Sequence, residues 1–161
     1  MFRRDFLALT GATALLSACA ARPPELHGRL IVLRHADRTF SMLNENGVAR
    51  AAELPAAVAD LKIDAIYCTP RPRNIDTATP LAEARNLSVT TMEASGAGTR
   101  ILTAHPGQTV VWVGNQENLG FLYAELGIPE KPPVQFGELH VVTLPRGGGR
   151  PIVEERRYGL A

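Results

Sequence analysis

An arginine and a histidine stand side by side at the end of an apolar run, Leu30-Ile31-Val32-Leu33-Arg34-His35. An imidazole titrates near neutral pH, so its neutral form can serve as a nucleophile or take up a proton. A guanidinium offers a planar fork of donors suited to phosphate oxygens. A second arginine, Arg73, falls at the start of a helical pattern. A cation at a helix N-terminus is unfavourable unless an anion lies nearby. The three side chains could therefore bind an oxyanion with a nucleophile beside it. The plainer alternative is a strand that ends in two polar surface residues and a solvated arginine.

These side chains need a scaffold, and the hydrophobic pattern supplies one. A continuous apolar run such as 30–33 reads as a strand buried on both faces, as in a parallel sheet. Ligands of open α/β sheets sit at the carboxyl ends of such strands. Further strands are expected over 64–68, 88–92 and 109–114, with helices opening at Gly47, running to about Arg85, and running from Gln116 to about Leu126. Pro55 should kink or restart the first of these helices, and Pro80 disfavours the second. Residues 37–46 read as irregular. Strands over 139–144 and 151–156 form a hairpin around Gly147-Gly148-Gly149, which is no phosphate loop because neither Lys-Ser/Thr nor a helix follows.

Two blocks resemble a known family. Leu33-Arg34-His35-Ala36 is similar to the Arg-His-Gly signature of the histidine phosphatase (phosphoglycerate mutase-like) superfamily. Asp64 to Ala78 resembles that family's second strand, its Ser-Ser-Pro turn, its arginine and its Thr-Ala helix start. The resemblance implies a three-layer α/β/α fold with a mostly parallel central sheet. It also implies that His35 takes up a phosphoryl group while Arg34 and Arg73 hold the phosphate oxygens, with Arg38 and Arg71 as an outer rim of charge. Relatives carry Val-Gly-His or Val-Ser-His after the strand at 109–114; this chain has Asn115 in place of that second histidine. Asparagine is a favoured helix N-cap. Its amide could also donate a neutral hydrogen bond to phosphate, but it brings neither positive charge nor a proton. Glu93, or Asp37, is the acid the resemblance offers for the leaving oxygen. His27, His105 and His140 read as structural or surface histidines.

The N-terminus reads as an address. Arg3-Arg4, a short apolar stretch and Leu16-Ser17-Ala18-Cys19 resemble a twin-arginine lipoprotein signal ending at a lipidated Cys19. The expected organisation is a signal over 1–19, a tether over 20–28 and a histidine phosphatase-like domain over 29–161. This places the domain outside the cytoplasm in a bacterial cell envelope, held to a membrane through Cys19 and facing the periplasm if the cell has an outer membrane. With Cys19 lipidated, Cys68 has no disulfide partner. Lys+Arg 17 against Asp+Glu 16 gives no basic surface for nucleic acid. The scattered Cys and His show no zinc spacing, and no cofactor or metal is implied.

The implied activity is phosphomonoester hydrolysis through a phosphohistidine at His35, impaired by Asn115, on a small phosphorylated substrate. The alternative is an inactive phosphate- or phosphoester-binding lipoprotein, or an envelope interaction module that keeps only the fold.

Overall fold

The computed structural model describes residues 25–159. The expected signal over 1–19 lies outside them, as does most of the expected tether. Eight strands and four helices follow in chain order: β1 (Gly28–Arg34), β2 (Arg38–Thr39), β3 (Met42–Leu43), α1 (Glu45–Ala57), β4 (Ala65–Cys68), α2 (Pro72–Arg85), β5 (Val89–Thr91), α3 (Ala97–Ala104), β6 (Thr109–Gly114), α4 (Gln116–Glu125), β7 (Glu138–Leu144) and β8 (Ile152–Arg157). Six strands make one sheet in the order β5-β4-β6-β1-β7-β8, while β2 and β3 form a separate small hairpin. Within the large sheet only β7 runs against the others. The result is a mixed α/β fold with a mostly parallel six-stranded sheet, as the phosphoglycerate mutase-like reading expects.

The apolar run in β1 is buried on both faces because it serves two cores. Ile31 and Leu33 face one, with Leu54, Val58 and Leu81 from α1 and its flank and from α2. Leu30 and Val32 face the other, with Ile101 of α3 and Leu119 and Leu122 of α4. β6 divides in the same way, Val111 and Val113 against Val110 and Trp112. Alternation along a strand sends neighbours to opposite faces. The neighbouring strands β1 and β6 thus lead into helices on opposite faces of the sheet. That arrangement is a topological switch point, and the crevice in which α/β sheets bind ligands lies at the shared carboxyl end of such strands.

Several elements depart from the sequence pattern. α1 begins before Gly47: the Asn44 side chain accepts the Gly47 N–H at 2.9 Å and caps the helix. Pro55 neither breaks nor restarts it, because it falls in the last turn, where the helix ends at Ala57. α2 runs through Pro80, with Pro72 at its favoured first position and Asn86 closing it in the left-handed conformation. The stretch at 37–46 is not wholly irregular, since it holds the β2–β3 hairpin. The domain starts ahead of residue 29: Gly28 already pairs with Leu144, and the His27 carbonyl accepts from the Gly107 N–H. Among the described residues no helix is long and apolar enough to cross a membrane.

Candidate active site

The crevice collects Arg34 and His35 from the end of β1, Arg73 from the first turn of α2, and Asn115 from the end of β6. Backbone and side-chain bonds fix their mutual placement. The His35 N–H donates to the Gly114 carbonyl at 3.0 Å, which sets the ends of β1 and β6 level. The next N–H, of Ala36, donates to Thr77 Oγ1 at 2.9 Å, and that hydroxyl donates back to the Arg73 carbonyl at 2.7 Å. Thr77 therefore ties the first turn of α2 to the residue after His35.

His35 is 1 % exposed. Its Nδ1 lies 2.8 Å from the Ala36 carbonyl oxygen. A carbonyl can only accept, so Nδ1 carries the proton and Nε2 keeps its lone pair. Burial, and secondarily the charges of Arg73, Arg34 and Arg38, push the imidazole pKa down from 6.5 to about 4. The ring is neutral across the physiological range, the state a nucleophile needs.

Both arginines stand where a positive charge is poorly solvated. Burial and the neighbouring guanidinium of Arg38 lower the Arg34 pKa, and burial with Arg71 and Arg38 does the same to Arg73. Among the described residues neither forms a salt bridge, and the buried Nε of each has no hydrogen-bond partner. Buried unsatisfied donors are costly and rare. A dianionic ligand would satisfy both at once. Arg38 and Arg71 are exposed.

Asn115 is 1 % exposed and occupies the N-cap position of α4 with extended backbone. Its carboxamide oxygen accepts from Arg73 Nη2 at 3.0 Å, and its amide donates to Thr69 Oγ1 at 3.2 Å. The Asn115 N–H in turn donates to Asn118 Oδ1 at 2.9 Å. Thr69 Oγ1 also accepts from Asn74 Nδ2 at 2.6 Å, and Asn74 reaches the Val113 carbonyl at 3.2 Å. Asn115 is therefore both a helix cap and a brace on Arg73.

The acid candidates fall differently. Asp37 is ion-paired with Arg50 at 2.5 Å, turned to that partner rather than to the cluster. Glu93 is exposed just beyond β5, with β4 and β6 between that strand and β1. The carboxylate that acts on both Arg34 and Arg73 is Glu117, exposed in the first turn of α4. Cys68, at the end of β4, is buried and its thiol is pushed up to about 11, so it stays protonated and unreactive. His105 and His140 are structural: they pair with Tyr67 at 2.9 Å and Tyr123 at 2.8 Å.

One part of the site escaped the sequence reading. The segment before β7 returns to the crevice as a strap. Arg34 Nη1 donates to the Val134 carbonyl at 2.8 Å, and the Phe136 ring lies 4.3 Å from the Arg34 guanidinium carbon. The same ring stands 5.8 Å from the His35 ring, tilted by 48°. A lone aromatic after a Pro-rich stretch carries no periodic signal that would have found it.

Comparison with known proteins agrees with this geometry. The model of the histidine phosphatase superfamily (branch 1) matches residues 30–95, which include Arg34, His35, Arg73 and Glu93. No curated protein matches the sequence. Among solved structures, the protein histidine phosphatase SixA complexed with tungstate is 20 % identical, with a TM-score of 0.64, over 80 % of this chain and 96 % of that one. YhfR of Bacillus stearothermophilus gives 18 % identity and a TM-score of 0.67, over 78 % of this chain and 95 % of that one. A mycobacterial glucosyl-3-phosphoglycerate phosphatase with inorganic phosphate gives 16 % identity and a TM-score of 0.60, over 83 % and 98 %. At these identities the structures establish the fold, and the histidine phosphatase superfamily is supported by the family model and the fold together.

Proposed function

We propose that this chain is a working histidine phosphatase: a phosphomonoester hydrolase with His35 as nucleophile and Arg34 and Arg73 as the phosphate clamp. The observation that carries this reading is the tautomer of His35. Its Nδ1–H is committed to the Ala36 carbonyl, which leaves the Nε2 lone pair available on a ring that feels the charges of Arg73 and Arg34, two arginines without salt-bridge partners among the described residues.

The reaction proceeds in two displacements. Nε2 attacks phosphorus in line, the N–P bond forms, and the ester P–O bond breaks. The leaving oxygen takes its proton from water, since Glu93 stands apart from the cluster. Water then attacks the phosphohistidine, the N–P bond breaks, phosphate leaves, and neutral His35 returns; one water is consumed per ester cleaved. Arg34 and Arg73 offset the charge on the phosphoryl oxygens through both steps. Asn115 contributes by holding Arg73 rather than by charge. Replacing a charge-assisted donor with this arrangement costs roughly tenfold if only binding suffers, and about 10²-fold if transition-state stabilisation is lost.

The site sits in a domain that we read as exported and lipid-anchored. Arg3-Arg4 and Leu16-Ser17-Ala18-Cys19 support that reading. Incorporation of labelled fatty acid into the wild-type chain, and its loss in Cys19→Ala, tests it.

A second reading follows from Asn115 itself: the site binds phosphate or a phosphoester without turnover. Aryl phosphate hydrolysis by the full chain, beside His35→Ala and Asn115→His, separates the two. Turnover in the wild type that disappears in His35→Ala supports the enzyme. An inert wild type that phosphate stabilises against heat, and that Asn115→His activates, supports the binding protein. If all three are inert and phosphate leaves the melting temperature unchanged, the phosphate site itself is refuted.

A further inference from the structure

The β2–β3 hairpin, which follows the His35 strand by three residues, carries two features that stability alone does not explain. Phe40 at its tip is 88 % exposed, and its φ is +56°. The left-handed region is costly for a bulky residue; glycine, asparagine and aspartate are its usual occupants in tight hairpin turns. An exposed aromatic gains nothing from burial, so the fold bears both the strain and the uncovered ring. Strain of this kind clusters at ligand-contacting sites. Met42, opposite Thr39 across the hairpin, is 50 % exposed as well.

The hairpin is part of the mouth of the crevice. Its β3 strand packs against α2, the helix that carries Arg73, and its Arg38 guanidinium donates to the Phe40 carbonyl at 2.5 Å. The charge of that same Arg38 acts on His35, Arg34 and Arg73. Arg38 and Arg71 have no salt bridge among the described residues. The mouth thus joins uncompensated positive charge to uncovered apolar surface, the complement of an anionic amphiphile.

We propose that the substrate is an amphiphilic phosphomonoester, whose phosphate enters between Arg34 and Arg73 while its apolar alcohol lies over Phe40. This rests on the phosphate-site reading above and adds the class of leaving group. The cleavage is the one already written, with the apolar alcohol as the departing group.

The test uses the full chain and two non-hydrolysable probes, methylphosphonate and hexylphosphonate, with inorganic phosphate as reference, in a calorimetric titration. Hexylphosphonate is expected to bind at least tenfold tighter than methylphosphonate, about the effect of burying two methylenes. Phe40→Asn is expected to collapse that ratio to near one while its melting temperature stays level or rises, since asparagine accepts the left-handed backbone. Phe121→Asn, which removes a 76 % exposed ring from α4, is expected to keep the wild-type ratio. Equal affinity for the two phosphonates overturns the proposal, as does a ratio that survives Phe40→Asn. Phe40-dependent binding to neutral phosphatidylcholine vesicles without any phosphonate preference also overturns it, by assigning the ring to a membrane surface. If inorganic phosphate and both phosphonates fail to bind, the underlying phosphate site has failed instead.

Discussion

Arg73 donates a 3.0 Å hydrogen bond to the carboxamide oxygen of Asn115, so Asn115 presents an acceptor toward the arginine proposed to hold phosphate. A histidine there would offer a donor to the transferred group. Asn115 instead faces a guanidinium and orients it, while its amide is engaged with Thr69. On the proposed reading, the site keeps its arginine in place at the expense of one donor to the phosphoryl oxygens.

Restoring the donor should therefore raise turnover. Asn115→His is expected to increase kcat on an aryl phosphate by about 10- to 10²-fold, the size of one recovered charge-stabilising contact. Asn115→Asp should do the opposite. It would pair with Arg73 as a carboxylate, compete with phosphate and weaken phosphate binding by about tenfold or more. Steady-state kinetics and phosphate titration check both.

The low pKa of His35 sets two pH dependences. The folded state holds the imidazole at about 4, against 6.5 for the free side chain. The unfolded chain therefore binds the proton more readily between those values. Stability is fully present above about 6.5, falls as pH drops toward 4, and levels off below. The loss amounts to at most about 3 kcal/mol. Denaturant melts of wild type and His35→Gln from pH 7.5 to about 3.5 should show a flatter acid limb in the variant. A remnant should persist there, because burial also lowers the pKa of His140. In kcat/KM the acid limb should fall near 4; a limb near 6.5 would contradict the buried neutral nucleophile.

Phe136 lies against Arg34, its ring centroid 4.3 Å from the guanidinium carbon. Phe136→Ala is expected to weaken phosphate binding about three- to tenfold, as a stacked cation contributes about 0.5–2 kcal/mol. Phe136→Tyr, which keeps the ring, should retain wild-type affinity. Calorimetric titration with phosphate distinguishes this from general destabilisation, which melting curves of the same variants would reveal.

Gly47 decides between two opposing rules. Glycine to alanine inside a helix ordinarily gains about 1 kcal/mol. Here a Cβ would sit 2.0 Å from the Asp37 backbone oxygen, where no flexible side chain can yield. Gly47→Ala is expected to destabilise by about 1–3 kcal/mol, the usual range for overpacking. It should also disturb the Asp37–Arg50 pair behind His35. Chemical denaturation with activity measured in parallel tests the sign.

Much of the scaffold was legible because its signals are local. β1 and β6 are unbroken apolar runs, and α2 is bracketed by Pro72 and Asn86. Arg34, His35 and Arg73 were legible through family-like motifs around them. The helix α3 was not, since it opens on small residues, Ala97-Gly98 after the Gly96 cap, and its eight residues show its buried Ala97, Ile101 and Leu102 over little more than one turn. The β2–β3 hairpin was missed because two-residue strands are too short to alternate visibly. The strap was missed for a different reason: its meeting with Arg34 is a contact across 100 residues of sequence. Asn115 was singled out by its place after β6, but its partner Arg73 emerges only once β6 and α2 are set side by side.

The position of β1 in the sheet also bears on how the protein is made. This strand leads into the proposed nucleophile and is among the first parts of the domain to be synthesised. Yet its only strand partners are β6 and β7, from the last third of the chain. Its strand hydrogen bonding on both sides waits on residues from Thr109 onward, so the candidate site assembles late, after long loops have closed. Until then an apolar edge of four residues stays uncovered. A nascent chain paused before β7 would expose the sticky edge that chaperones recognise.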